Sequence, residues 1–146
     1  VGINVIFRKP LRDLLPDNAL DNLYGHTYRT LTWSDSYEPG EKQKQFAESL
    51  KKHDIAAGAE VPIAHGPFYD FIHMLKLVID DQKDFDVEKT KAAMDNVKGY
   101  EGLLGTFNFT PKQHCGLDDS AIVIAEVASV RDEKANGLFR KQAPGQ

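Results

Sequence analysis

The chain has 146 residues, 41% of them hydrophobic and 27% charged, with a formal net charge of −4. That length holds one domain with a core, and that composition excludes a disordered polyelectrolyte. The acidic balance, with no run of Lys and Arg longer than two, argues against a nucleic-acid surface, and the single cysteine, Cys115, cannot close an internal disulfide.

Val1–Phe7 is apolar and β-branched without a helical period, so it reads as a buried, parallel strand ended by Arg8, Lys9 and Pro10. Asp17–Tyr24 reads as a short helix stopped at Gly25. Thr27–Trp33 alternates and is rich in β-branched and aromatic residues, which predicts a second strand, and Ser34–Gly40 is a turn-rich loop. Glu41–His53 is a surface helix that buries a narrow stripe of Phe46, Ala47 and Leu50. After a linker, Asp54–Val61, the strongest helix spans Pro67–Asp81, with Phe68, Phe71, Ile72, Leu75, Val78 and Ile79 forming a wide apolar face. Val87–Val97 is a further amphipathic helix. Gly102–Thr110 reads as a strand, Pro111–Asp119 as a polar loop, and Ser120–Val130 as a last, central strand. From Arg131 onward the polar tail is expected to fray. No apolar run approaches the roughly 20 residues of a membrane span. The element order predicts an α/β fold with a mainly parallel sheet, antiparallel pairing staying open for the last two strands.

Three stretches, in this order, resemble the type I periplasmic solute-binding proteins of ABC importers, the leucine/isoleucine/valine-binding kind. They are Ser36–Lys52, Ala64–Leu75 and Gly99–Val127. In the second, Tyr69–Asp70 stands in the family's tyrosine–aspartate place, although Pro67 and Phe68 are inserted after Gly66, so Phe68 or Tyr69 takes the place of the family tyrosine. In the third, Gly102, Gly105, Phe109, Pro111, His114, Gly116 and Leu117 match the family pattern. The resemblance covers nearly the whole chain and implies a two-lobed periplasmic-binding-protein fold of type I, of which this is the C-terminal part. Residues 1–53 are then expected to come from the second lobe, 54–99 to return to the first, and 100–146 to supply the closing strands and tail. No signal sequence is visible, and a chain opening at Val1 on a strand-like segment is expected to start earlier in its natural form.

The resemblance implies a substrate-binding component of an ABC importer, working in the periplasm with a membrane permease as partner. Its ligand is expected to be a small molecule such as a branched-chain amino acid, or an aromatic or other small carboxylate. A ligand-sensing regulatory domain of the same fold is the alternative. No cofactor, nucleic acid or catalytic role is expected, because neither a nucleophile elbow nor a phosphate-binding loop occurs and the acidic pairs Asp80–Asp81 and Asp118–Asp119 do not converge. An isolated C-terminal part leaves sheet edges and helix faces uncovered, so self-association is expected.

Ligands of open α/β sheets sit at the carboxyl ends of strands. Phe7 and Arg8 end the first strand, where Arg8 either pairs with a ligand carboxylate or is a solvated cation. Trp33 ends the second strand and either walls an apolar pocket or caps the core. His65 precedes the main helix, where it meets an anion or serves as a surface residue. Tyr69 walls the ligand or belongs to the core. His114, Cys115 and Asp118 lack the spacing of a metal site.

Overall fold

The computed structural model describes residues 14–55, 62–83, 85–128 and 138–146. The predicted first strand, with Phe7 and Arg8, lies outside these residues. The chain enters through a 3-10 turn, Asp17–Leu20, and continues as β1 (Tyr24–Tyr28), a second 3-10 turn (Arg29–Leu31) and β2 (Thr32–Trp33). Three helices follow, α1 (Glu41–Lys52), α2 (Pro62–Gln82) and α3 (Val87–Met94). Then come the short strands β3 (Tyr100–Glu101) and β4 (Thr106–Phe107), a 3-10 turn at Asp119–Ala121, β5 (Ile122–Glu126) and β6 (Arg140–Lys141). The fold is mixed α/β.

The expected mainly parallel sheet is not what these strands build. β1 and β5 pair antiparallel, from Tyr24 opposite Glu126 to Tyr28 opposite Ile122. Thr27 and Val123 face each other on the buried side, as do Gly25 and Ala125, so one face of the pair turns inward at the two-residue period of a strand. Parallel pairing among the described residues is confined to β2 and β6, Thr32 opposite Arg140 and Trp33 opposite Lys141. A single bridge, Ala125 to Gln142, ties the two pairs together.

Several elements differ from the sequence reading for identifiable reasons. The helix expected at Asp17–Tyr24 stops after one 3-10 turn because Asn22 takes a left-handed conformation (φ 58°), and Gly25 lies inside β1 rather than after a helix. The strand expected at Thr27–Trp33 is interrupted by the Arg29–Leu31 turn, which drives Leu31 into the core; the Thr32 hydroxyl closes it by donating to the Arg29 carbonyl at 2.6 Å. The tail does not fray at its far end. Leu138 and Phe139 are core residues, and Gln142 Nε2 donates to Thr32 Oγ1 at 2.8 Å.

α1 forms as read, with Phe46, Ala47 and Leu50 buried together with Gln43. α3 is three residues shorter than expected, is capped by the Asp86 carboxylate, which accepts from the Lys89 N–H, and buries Thr90.

α2 begins five residues earlier than expected and keeps Pro67 inside it. It also presents a different face. Gly66, Asp70, Met74 and Val78, spaced by four, are buried, whereas Phe68, Phe71 and Ile72 of the expected apolar face are exposed. What decides the rotation is the segment Glu101–Leu104. Strands β3 and β4 are joined by a tight turn in which the Gly102 N–H donates to the Gly105 carbonyl, and Gly105 has φ +149°. The amides of Leu103 and Leu104 point into the protein, and the Asp70 carboxylate accepts from both, at 2.5 and 2.9 Å. Buried backbone donors demand such partners. From the other side α1 meets the same segment: Gln43 Nε2 donates to the Leu103 carbonyl at 2.7 Å, and Lys42 Nζ donates to the Glu101 carbonyl. Gly66 admits Leu104, since a Cβ there would stand 2.6 Å from Leu104 Cδ2. The strand expected at Gly102–Thr110 is therefore a turn clamped by two helices, with only Thr106–Phe107 extended.

This rotation predicts unequal costs along α2. Met74→Ala is expected to lose about 2–5 kcal/mol by leaving a cavity, and Phe68→Ser to stay within about 0.5 kcal/mol; urea denaturation of the two variants measures both.

Burial holds the Asp70 carboxyl above its usual range, against the lowering effect of the two amides. A carboxyl whose folded pKa exceeds its unfolded value contributes stability that is complete below the unfolded value and is lost as pH rises through the folded one. The stability difference between the wild type and Asp70→Asn is therefore expected to shrink as pH rises from near the ordinary value of 3.8; a difference that grows with pH would reverse the sign.

Candidate functional site

Parallel strands gather their carboxyl ends, and the protein has one such gathering among the described residues: β2 and β6 end side by side at Trp33 and Lys141. A cleft of about 350 Å³ opens there. Ser34, Asp35 and Ser36 leave β2 along one wall, Lys141 and the segment Gln142–Gln146 form another, and Glu126 comes from the end of β5. The volume suits a small molecule, near the low end of the roughly 300–1,000 Å³ common for ligand clefts.

The walls are held by backbone and side-chain bonds. The Ser34 N–H donates to the Tyr37 carbonyl at 2.8 Å, folding Ser34–Tyr37 into a tight bridge that carries the Ser34 and Ser36 hydroxyls, 3.4 Å apart. Opposite, the Gln142 N–H donates to the Trp33 carbonyl and the Ala143 N–H to the Ile124 carbonyl, both at 2.9 Å. Gln146 Oε1 accepts from the Ile124 N–H at 3.1 Å, which folds the end of the segment back onto β5.

The cleft offers one ammonium (Lys141), two carboxylates (Asp35 and Glu126) and two hydroxyls (Ser34 and Ser36). Such a set can receive a ligand that is itself amphoteric, an acid group meeting the cation and an ammonium or hydroxyl meeting a carboxylate. Trp33 adjoins this site. It is half-buried, and Lys141 Nζ lies 6.0 Å from the centre of its ring.

His65 and Tyr69 belong to another part of the protein. His65 is exposed on the first turns of α2, and Tyr69 is half-buried in the core, edge-on to Phe46 at 5.1 Å and tilted against His73 at 4.3 Å. Neither lines the Ser34–Gln146 cleft. Phe7 and Arg8 lie outside the described residues. His114 Nδ1 sits 3.2 Å from Asp95 Oδ1, and Cys115 is exposed. Lys91, 2.9 Å from the same carboxylate, holds Asp95 below the usual range. Among the described residues no three His, Cys, Asp or Glu side chains gather as a metal site requires, and no helix is long and apolar enough to cross a membrane.

Sequence reasoning did not find Lys141, Glu126 or the two serines. The apolar pair Leu138–Phe139 inside an otherwise polar tail was the available signal, because two such residues in a row call for burial and bring their neighbours with them.

Compared with known proteins, the chain matches no family model, no curated sequence and no solved structure.

Trp33 is the chain's one tryptophan, so the tryptophan emission comes from a single residue that packs against the core and adjoins this cleft through Lys141. Lys141→Ala is expected to change that emission by uncovering the indole while leaving the far-ultraviolet circular dichroism in place. An unchanged spectrum would mean that the cation does not sit over the ring in solution.

Proposed function

We propose that the protein is the C-terminal part of a solute-binding component of an ABC-type importer, of the type I periplasmic-binding-protein kind. It takes a small amphoteric or acidic molecule, such as an amino acid, and delivers it to a membrane permease from the periplasm. The observation that carries this reading is convergence. The three stretches that resemble the family are separate in sequence, yet all three meet at the Glu101–Leu104 segment. Lys42 and Gln43 come from the first stretch, Asp70 from the second, and the segment itself belongs to the third. In this chain the three stretches form a single hydrogen-bonded unit.

The mixed set of charges at the carboxyl ends of β2 and β6 supports the ligand class. A ligand carrying both a carboxylate and an ammonium matches a cleft that is lined by both signs of charge. An open cleft formed from one side matches a binding mode in which a second lobe closes by hinge motion over the ligand. The role is binding rather than turnover. The same reading carries the expectation that the chain alone self-associates; a monomer at high dilution in light scattering would count against it.

A thermal-shift screen of the full-length protein against amino acids, aromatic acids and small dicarboxylates tests the proposal. A ligand that binds only the folded state stabilises it by about 2.7 kcal/mol at a hundredfold excess over Kd. The expected result is a raised midpoint with one of these classes, accompanied by a change in Trp33 emission that is lost in Lys141→Ala. A flat response across the panel would sink this reading of the ligand class.

A further inference from the structure

A second cleft lies between the Arg29–Leu31 turn and the Asp119–Ala121 turn. It has a volume of about 200 Å³ and shares no lining residue with the Ser34–Gln146 cleft. Its chemistry is set by two opposite charges, Arg29 and Asp118, and by the residue that anchors both, Ser120.

Arg29 is fixed at both ends. Its carbonyl accepts from the Thr32 hydroxyl at 2.6 Å, and its Nε donates to the Ser120 carbonyl at 2.9 Å. The terminal guanidinium N–H groups have no hydrogen-bond or ion-pair partner among the described residues. Asp118 is fixed by the other side of the same peptide. Its Oδ1 accepts from the Ser120 N–H at 2.9 Å and from the Ser120 hydroxyl at 2.5 Å. The Ala121 N–H also reaches this carboxylate, which is exposed and, with two lone pairs on each oxygen, can still accept from a further donor. Ser120 therefore holds a cation by its carbonyl and an anion by its amide and hydroxyl. Arg29 and Asp118 line one small cleft without forming an ion pair with each other. Two opposite charges that are each tied down and kept apart leave a place for a molecule that bridges them.

We propose that this cleft is a binding site for an α-amino or α-hydroxy acid. The ligand carboxylate meets the two terminal nitrogens of Arg29 as a bidentate pair, since Nε is already engaged. The neighbouring ammonium or hydroxyl donates to the Asp118 carboxylate. Thr30, Gly105 and Thr106 and the apolar Leu104 and Ala121 complete the lining, and the small volume leaves room for a short side chain only. A simple amine would leave Arg29 unanswered, and a plain carboxylate would leave Asp118 unanswered.

The test is calorimetric titration with L-alanine, L-lactate and alaninamide, on the wild-type chain and on Lys141→Ala so that the two clefts are told apart. Alanine and lactate are expected to bind both proteins, and alaninamide, which lacks the carboxylate, neither. Arg29→Gln is expected to weaken both acids by roughly tenfold or more. Asp118→Asn is expected to weaken alanine more than lactate, because an amide oxygen still accepts from a hydroxyl but no longer balances an ammonium. Any of three results overturns the proposal: no binding of alanine or lactate in the Lys141→Ala chain, binding of alaninamide as tight as that of alanine, or binding indifferent to Arg29→Gln. The comparison of alanine with alaninamide needs no substitution at Arg29 or Asp118, so it stands even where Arg29→Gln fails to fold.

Discussion

Everything else in the structure leans on the way four side-chain and backbone bonds satisfy the short segment Glu101–Leu104. A turn carried into the interior brings N–H and C=O groups that water can no longer reach, and each left unmade costs on the order of 1–3 kcal/mol. Asp70 supplies two acceptors to that turn, and Gln43 and Lys42 supply two donors. The glycines around it are required by space. A Cβ at Gly102 would stand 2.6 Å from Phe107 Cε2 and 2.9 Å from Asp70 Cγ, so only glycine lets the carboxylate and the turn approach this closely. Leu103 and Leu104 then deliver their side chains to the middle of the core, beside Leu31, Phe46 and Met74. The Asp70 carboxylate from α2 and the Gln43 and Lys42 side chains from α1 thus join two helices, a hairpin and the apolar centre.

The same constraint explains which parts of the fold were legible in the sequence. α1 was legible because its apolar residues alone fix its orientation, and Phe46, Ala47 and Leu50 are where periodicity puts them. α2 was not, because periodicity weighs only apolar surface. The most hydrophobic stripe, through Phe68, Phe71 and Ile72, loses to a stripe containing an aspartate and a glycine, since the turn needs the aspartate's oxygens and the glycine's lack of a side chain. Of the strands, β5 was legible from its apolar run, whereas its partner, β1, was split between an expected helix end at Tyr24–Gly25 and an expected strand from Thr27. Local propensity cannot see that Asn22 turns the chain by taking a left-handed conformation.

The candidate site was legible only at Trp33. That residue ends a strand, and its alternating neighbours said so. Two of the groups that make the cleft chemically distinctive, Glu126 and Lys141, come from far downstream of Trp33, and no local pattern announces a two-residue strand such as Arg140–Lys141. A stretch that short acquires its conformation from the edge it joins. The Arg29–Asp118 cleft was hidden for a related reason: its two charges are brought near one another by Ser120, whose role is entirely a matter of backbone direction.

The pairing of β2 with β6 has a consequence for how the chain reaches this state. Thr32 and Trp33 cannot complete their hydrogen bonds until Arg140 and Lys141 arrive from the far end of the sequence, and closing so long a loop carries a large entropic cost before any contact rewards it. Helices α1 and α2 and the turn they clamp draw on nearer partners and can assemble first. During synthesis the edge of β2 stays open while the intervening residues are made, and an open edge accepts any strand offered to it. The cleft is thus the last region to acquire its shape, and a chain interrupted before Leu138 carries a preformed helical half with an unfinished sheet.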